Sequence, residues 1–232
     1  MPFRKPQLQF PLREKYRWGG GRPGAGRPPG PNRRMAHRSR KSFARGHPCH
    51  VTIRVLSDVP GLRNRRLVRE LERSFASACE RGEFRLVHYS ILGNHAHLLV
   101  EAKDRQALGR GMKSLGARFS RAVNRVFRRR GPVLVDRYHV SVLRTPTQVR
   151  NALRYVLLNA RHHARRASKA VKQLDLASSG RFFSGWRWRP AADGSTAHSL
   201  SGAPVAKPHT WLLSRGWRKR GLLDPAEIPG QL

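Results

Sequence analysis

Two strand-like runs joined by a two-residue turn constrain most strongly what this sequence can become. FRLVHYSIL (84–92) and HAHLLVEA (95–102) are separated only by Gly93-Asn94, a dipeptide of the kind that closes tight antiparallel hairpins. Apolar periodicity around this hairpin is confined to residues 48–166. Upstream, HVTIRVLS alternates as a half-buried strand does, with Val51, Ile53 and Val55 on one face. Residues 64–81 set Leu67, Val68, Leu71, Phe75 and Ala78 at helical spacing, and Gly82 is the expected stop. A second helix is expected over 104–129, with Leu108, Met112, Leu115, Phe119, Val123 and Val126 in register before Gly131-Pro132. PVLVDRYHVSVL (132–143) reads as another strand run, and Thr145-Pro146 opens a helix predicted to reach 166. The order β-α-β-β-α-β plus a final helix predicts an α+β, ferredoxin-like antiparallel sheet with helices on one face.

The flanks are different material. Residues 1–47 are rich in Arg, Gly and Pro with Glu14 as their single acid, a composition that buries too little surface to fold alone. Gly-Arg-Pro occurs at 21–23 and again at 26–28, and such an extended segment can lie in a narrow minor groove or hold phosphates as a solvated tail. Arg22, Arg27, Arg33 and Arg34 are the candidate DNA contacts there. Residues 167–232 lose periodicity apart from FFSGWRWR and TWLLSRGWRKRG, and read as a basic arm. Its Trp186, Trp188, Trp211 and Trp217 can stack on unpaired bases or anchor the arm to the core. The chain thus divides into a basic tail (1–47), a folded core (48–166) and a C-terminal arm (167–232).

Lys and Arg number 48 against 13 Asp and Glu, a net charge of +35 in 232 residues, which points to a polyanionic partner. No apolar stretch is long enough to cross a membrane and the opening residues lack a secretory apolar region, so no membrane partner is expected. Cys49 and Cys79 make neither a disulfide framework nor a metal-binding spacing, as in a reduced, intracellular protein.

Two features carry chemistry. In GNHAHLLVE, His95 and His97 are two apart on a strand and share a face, where they can hold one divalent metal given a third ligand, or simply pack. In RYVLLN, Tyr155 and Asn159 are four apart on a helix and share a face, which can be an ordinary solvated surface or a nucleophile beside an amide ligand. Taken together they fit one scheme. A metal polarises a scissile phosphate, Tyr155 attacks phosphorus, and a phosphotyrosine and a free 3′ hydroxyl result. Lesser candidates are Tyr138 as a rival nucleophile, His139, the His162-His163 pair at a helix end, and Glu101 and Asp104 as partners of the histidines.

GNHAHLLVEA (93–102), VDRYHVSVL (135–143) and ALRYVLLNARHHAR (152–165) resemble the single-tyrosine HUH-endonuclease transposases, and more narrowly the REP-associated tyrosine transposases, which act on bacterial palindromic repeats. The basic lead-in GGGRPGAGRP and the C-terminal TWLLSRGWRKRGLLD are similar to outer parts of such proteins. The resemblance implies that His95 and His97 are the metal-binding pair, that Tyr155 becomes linked to a 5′ phosphate of single-stranded or hairpin DNA, and that Asn159 is the third metal ligand. It implies Mg2+ or Mn2+ as the metal, and two imidazoles favour manganese. Arg137, Arg150, Arg154 and Arg161 are the core's expected DNA contacts. The location expected is cytoplasmic, at the bacterial nucleoid, with monomer and homodimer both open. Many relatives follow the Tyr-x-x-x-Asn motif with Pro, whereas Ala160 follows here.

The competing reading is a non-catalytic, ferredoxin-like nucleic-acid-binding module. RNA-binding sheets of that shape carry aromatics on their central strands, and HAHLLVEA carries none. A histidine-triad hydrolase needs a further His where Leu99 stands, and GRGMKS (109–114) lacks the Gly-Lys-Ser of a phosphate loop.

Overall fold

The computed structural model describes residue 43 and residues 46–135, 137–159, 174–188 and 203–229. Strands β1 (Cys49–Arg54), β2 (Glu80–Arg81), β3 (Phe84–Ile91), β4 (His95–Ala102) and β5 (His139–Val142) form one sheet in the order β2-β3-β4-β1-β5. Every neighbouring pair is antiparallel. Helices α1 (Arg65–Ala76), α2 (Arg105–Val126) and α3 (Pro146–Leu157) complete the core. Without the two-residue β2, this is the expected ferredoxin-like βαββαβ arrangement with a helix added.

Alternation along the strands decides which helix covers which face. Val51, Ile53, Leu98 and Val100 join Leu67, Leu71, Phe75, Leu108 and Phe119 in one cluster, so α1 and α2 cover that face together. Val87 and Leu99 join Val149, Leu153, Val156 and Leu157 in a second cluster, so α3 covers the opposite face. Val87 faces α3 by alternation from Leu86, and the register shift between Leu86 and His88 passes over it in the pairing with β4.

Local signals set the boundaries. Asn64 caps α1 by accepting from the amides of Arg66 and Leu67, and Asp104 caps α2 through the amide of Ala107. Thr145 and Gln148 form a reciprocal capping box with Pro146 in the first turn of α3. The hairpin turn falls at Gly93-Asn94, with the Leu92 amide donating to the His95 carbonyl at 2.8 Å.

Three expected boundaries are corrected. Helix α1 ends at Ala76 rather than 81, because Glu80–Arg81 leaves to pair with Phe84–Arg85. Gly82, at φ +55°, serves that hairpin rather than stopping a helix. Helix α2 ends at Val126, before Arg128 takes up a left-handed φ of +51°. The 132–143 run is not continuous: Leu134 makes an isolated bridge to Val55, and the strand proper is His139–Val142. The described part of α3 ends with Leu158 as its cap, and the expected extension from 160 to 166 lies outside the described residues.

The arm docks on α3. A single helical turn α4 (Trp211–Ser214) and a 3-10 turn (Gly216–Arg220) bring Leu212, Leu213 and Trp217 into the α3 cluster. Trp217 is 1% exposed, whereas Trp188 and Trp211 are 48% and 52% exposed. Gly185 passes so close to Trp217 and Phe183 that a Cβ there would lie 2.5 Å from both rings. On β3, the Tyr89 hydroxyl donates to buried Glu72 at 2.7 Å, and Arg181 from the arm donates to the same oxygen at 2.7 Å. Burial, with the Glu72 charge second, pushes the Tyr89 phenol well above its ordinary range.

Replacing Trp217 with Ala removes the arm's largest buried group and is expected to cost about 3–5 kcal/mol in denaturant unfolding. His88 supplies a pH prediction. It is buried beside Ser179, and desolvation pushes its pKa from 6.5 down to about 3, so folding favours the neutral ring. That stability is present above pH 6.5 and is lost as pH falls toward 3, because the unfolded chain binds the proton first. Between pH 7 and pH 5 the wild type should lose about 2 kcal/mol that a His88→Gln variant keeps, read as the difference in unfolding free energy.

Candidate active site

Strand pairing builds the site from the middle of the sheet. The register sets Ser90, His97, Thr52 and His139 in one row across β3, β4, β1 and β5, and sets Arg54 beside His95. These residues share the face that α3 covers. His95 and His97 stand with ring centroids 4.9 Å apart, as their two-residue spacing requires. From α3, the Tyr155 ring comes to 5.0 Å from His97 and 6.0 Å from His50.

Both histidines are held through Nδ1. Asn94 Oδ1 accepts from His95 Nδ1 at 2.7 Å, which leaves the lone pair of that ring on Nε2. His97 Nδ1 is engaged from two sides, by Thr52 Oγ1 and by His50 Nε2, each at 3.1 Å. Burial, with His139 second, lowers the His50 pKa to about 4, so at neutral pH this ring is uncharged. A neutral His50 can accept at Nε2 from a protonated His97 Nδ1, and the lone pair of His97 then also falls on Nε2.

Asn159 lies one turn beyond Tyr155 and is fully buried. Among the described residues, neither its Oδ1 nor its Nδ2 has a hydrogen-bond partner. A buried amide left unsatisfied costs roughly 1–3 kcal/mol and calls for an explanation. Among the described residues no three His, Cys, Asp or Glu side chains gather as a metal-binding group. Two imidazoles therefore need a donor of another type, and an amide oxygen is one that a hard divalent cation accepts. The residues present fit such an ion.

Other expected residues separate from this cluster. Tyr138 packs against the α1–α2 cluster, on the other side of the sheet from Tyr155. Glu101 lies on the histidine face but at the far end of β4, where it accepts from the His209 and Thr210 amides and the Thr210 hydroxyl at 2.7–2.8 Å. Asp104 is the cap of α2. Arg150 donates to the Gly221 and Leu222 carbonyls and to Glu227, and Arg154 lies 3.7 Å from Glu227, so both are turned toward the arm. Arg137 is half-buried ahead of β5. Arg22, Arg27, Arg33, Arg34, Arg161, His162 and His163 lie outside the described residues.

Sequence reading missed His50, Thr52, Arg54 and Ser90. The signal was present for three of them: in HVTIRVLS, His50, Thr52 and Arg54 alternate with the apolar Val51 and Ile53, so pairing β1 with β4 brings them to the histidine face, while Ser90 reaches it through the pairing of β3 with β4.

Fold and site together set paired histidines on the central strand of a ferredoxin-like sheet against a tyrosine from α3. Residues 47–159 match the family described as "Transposase IS200 like". Among solved structures the chain is similar to a REP-associated tyrosine transposase bound to a REP hairpin, at 14% identity over 56% of this chain and 74% of that one, with a TM-score of 0.43. It is also similar to a protein from Deinococcus radiodurans R1 described as a transposase, at 13% identity over 60% and 99% of the two chains, with a TM-score of 0.35. No curated protein matches the chain. Among the described residues no helix is long and apolar enough to cross a membrane.

Because Glu101 holds the start of the arm and not the histidines, Glu101→Ala should speed limited proteolysis within 203–229 at least tenfold. The His95 and His97 imidazole NMR signals should stay at their wild-type shifts.

Proposed function

We propose that this protein cuts and rejoins single-stranded DNA through a transient covalent bond to Tyr155, with hairpin or palindromic-repeat DNA as the substrate. The observation that carries the reading is the Tyr155 ring 5.0 Å from His97, in a cluster whose two histidines each have Nδ1 engaged. The match of residues 47–159 to the family described as "Transposase IS200 like" supports it, and so does the net charge of +35.

In this mechanism His95 Nε2, His97 Nε2 and Asn159 Oδ1 hold a divalent cation, Mg2+ or Mn2+. When bound, that ion supplies a Lewis acid to the scissile phosphate. Thr52 and His50 fix the orientation of the His97 ring, and Asn94 does the same for His95. The Tyr155 oxygen forms a bond to phosphorus and the bond from phosphorus to the 3′ oxygen breaks. The phenol proton is lost and the departing 3′ oxygen gains one, so protons balance. The phosphotyrosine keeps the energy of the broken diester, and attack by another 3′ hydroxyl reverses the step without ATP. Exposed Arg54, beside His95, is positioned to hold the flanking phosphate. The engagement of Arg150 and Arg154 with the arm shifts DNA contact toward Arg54, Arg137, Arg161 and the N-terminal arginines.

The test is incubation with labelled hairpin oligonucleotides and Mn2+, read on a denaturing gel. Wild type should give a heat-stable protein–DNA band that Tyr155→Phe and the double variant His95→Ala, His97→Ala both lack. Manganese should support it at least as well as magnesium. A band that survives Tyr155→Phe, or tight binding with no adduct on any oligonucleotide of a broad pool, sinks the reading. Thr52→Val should weaken Mn2+ affinity 10–100-fold in a calorimetric titration while leaving the melting temperature within a few degrees.

A further inference from the structure

The opposite side of the molecule carries a concave basic surface that the tyrosine chemistry does not use. Helices α1 and α2 pack side by side over the far face of the sheet. Between them runs a groove lined by Arg65, Arg66, Arg69 and Arg73 of α1 and by Arg118, Arg121 and Arg125 of α2. Glu70 is its single acid, and it is already shared by Arg73 and Arg125. Arg118 donates to the Ser77 hydroxyl. Among the described residues, Arg65, Arg66, Arg69 and Arg121 meet no acidic side chain.

This arrangement works against the helix that carries it. Arg65 and Arg66 occupy the first turn of α1, at the positive end of the helix dipole, and that turn has no acid. Cations there are unfavourable, and neighbouring arginines repel one another. Burial is not the reason for their placement, since Arg65, Arg66, Arg69 and Arg121 are all exposed. What relieves such a cost is a line of anionic groups laid in the groove.

We infer that the α1–α2 groove binds the phosphate backbones of a DNA duplex, independently of sequence and separately from the strand that reaches Tyr155. The dimensions fit. Arg66 to Arg73 and Arg118 to Arg125 each span two helical turns, about 10 Å, and packed helices lie about 8–10 Å apart. Two such rows match the backbones that border a minor groove about 6 Å wide. Among the described residues no aromatic lines the groove, so these residues offer no stacking platform for unpaired bases. The groove and Tyr155 lie on opposite sides of the sheet, so one molecule can hold a duplex segment while a single strand occupies the site. The inference rests on the DNA reading above but not on the tyrosine step.

The test compares full-length wild type with the triple variant Arg66→Gln, Arg69→Gln, Arg121→Gln, which removes three charges at exposed helical positions and keeps good helix formers. Binding to a plain blunt duplex should weaken at least tenfold at moderate salt. The slope of log affinity against log salt should become shallower by about three. Adduct formation on a short unstructured oligonucleotide should stay within twofold of wild type. An unchanged duplex affinity and slope overturns the inference, and so does an equal loss on duplex and single strand. Should the variant fail to fold, phenylglyoxal labelling of wild type gives the answer instead. Duplex should protect Arg66, Arg69 and Arg121 from modification, and unaltered labelling at these residues overturns the inference. Duplex binding is read without catalysis, so a failed tyrosine reaction and a failed groove give different results.

Discussion

The antiparallel register between β1 and β4 is the constraint on which the site depends. It sets Thr52 opposite His97 and Arg54 opposite His95, and by alternation it sends Val51, Ile53, Leu98 and Val100 the other way. A slip of one residue would exchange these sets, burying imidazoles under α1 and α2 and turning valines toward α3. The large cluster beneath α1 and α2 therefore does more than stabilise the domain. Its cohesion is what holds two histidines, a threonine and an arginine in a fixed row, because the apolar and polar residues are successive positions of the same strands.

Helix α3 completes that row from above, and it is itself held from two sides. Val149, Leu153, Val156 and Leu157 press on Leu99 and Val87, while Trp217, Leu212 and Leu213 press back from the arm. Arg150 and Glu101 fasten the arm at two places, one on α3 and one on β4. The position of Tyr155 over His97 thus depends on residues more than fifty positions further along the chain. The proposed attack of Tyr155 on phosphorus, which tolerates only a few tenths of an ångström of misplacement, needs this kind of second support.

The succession of strands and helices, the His95–His97 pair and the shared face of Tyr155 and Asn159 were legible because they follow from periods of two and 3.6 residues. Less legible were features that depend on which strands meet. His50 and Thr52 look like ordinary polar positions of an amphipathic strand until β1 is paired with β4. Glu101 sits on the histidine face and suggested a partner for the imidazoles, yet tertiary packing gives it to Thr210. Arg150 and Arg154 read as DNA contacts from charge alone, and only the path of the arm reveals Glu227 beside them. Gly82 misled in another way, since a glycine with positive φ serves a hairpin turn as well as a helix end.

Where the acids stand explains why so much positive charge remains available. The sequence has 13 Asp and Glu, and several of those described are committed to joining the arm to the core. Glu72 takes Arg181, Asp175 takes Arg63, Glu227 takes Arg150, and Glu101 takes the start of α4. Asp104 is occupied as a cap, and Asp224 accepts from Trp188. Acids used at these internal seams are unavailable to neutralise the outer surfaces. Only Glu70 is left in the α1–α2 groove, against seven arginines. Such a charge distribution costs stability through self-repulsion at low salt, and a bound polyanion removes that cost. On the proposed reading, folding and nucleic-acid binding are coupled through the same few carboxylates: moving Glu72, Asp175, Glu227 or Glu101 from seam to surface would loosen the arm on α3 and weaken the grip on phosphate together.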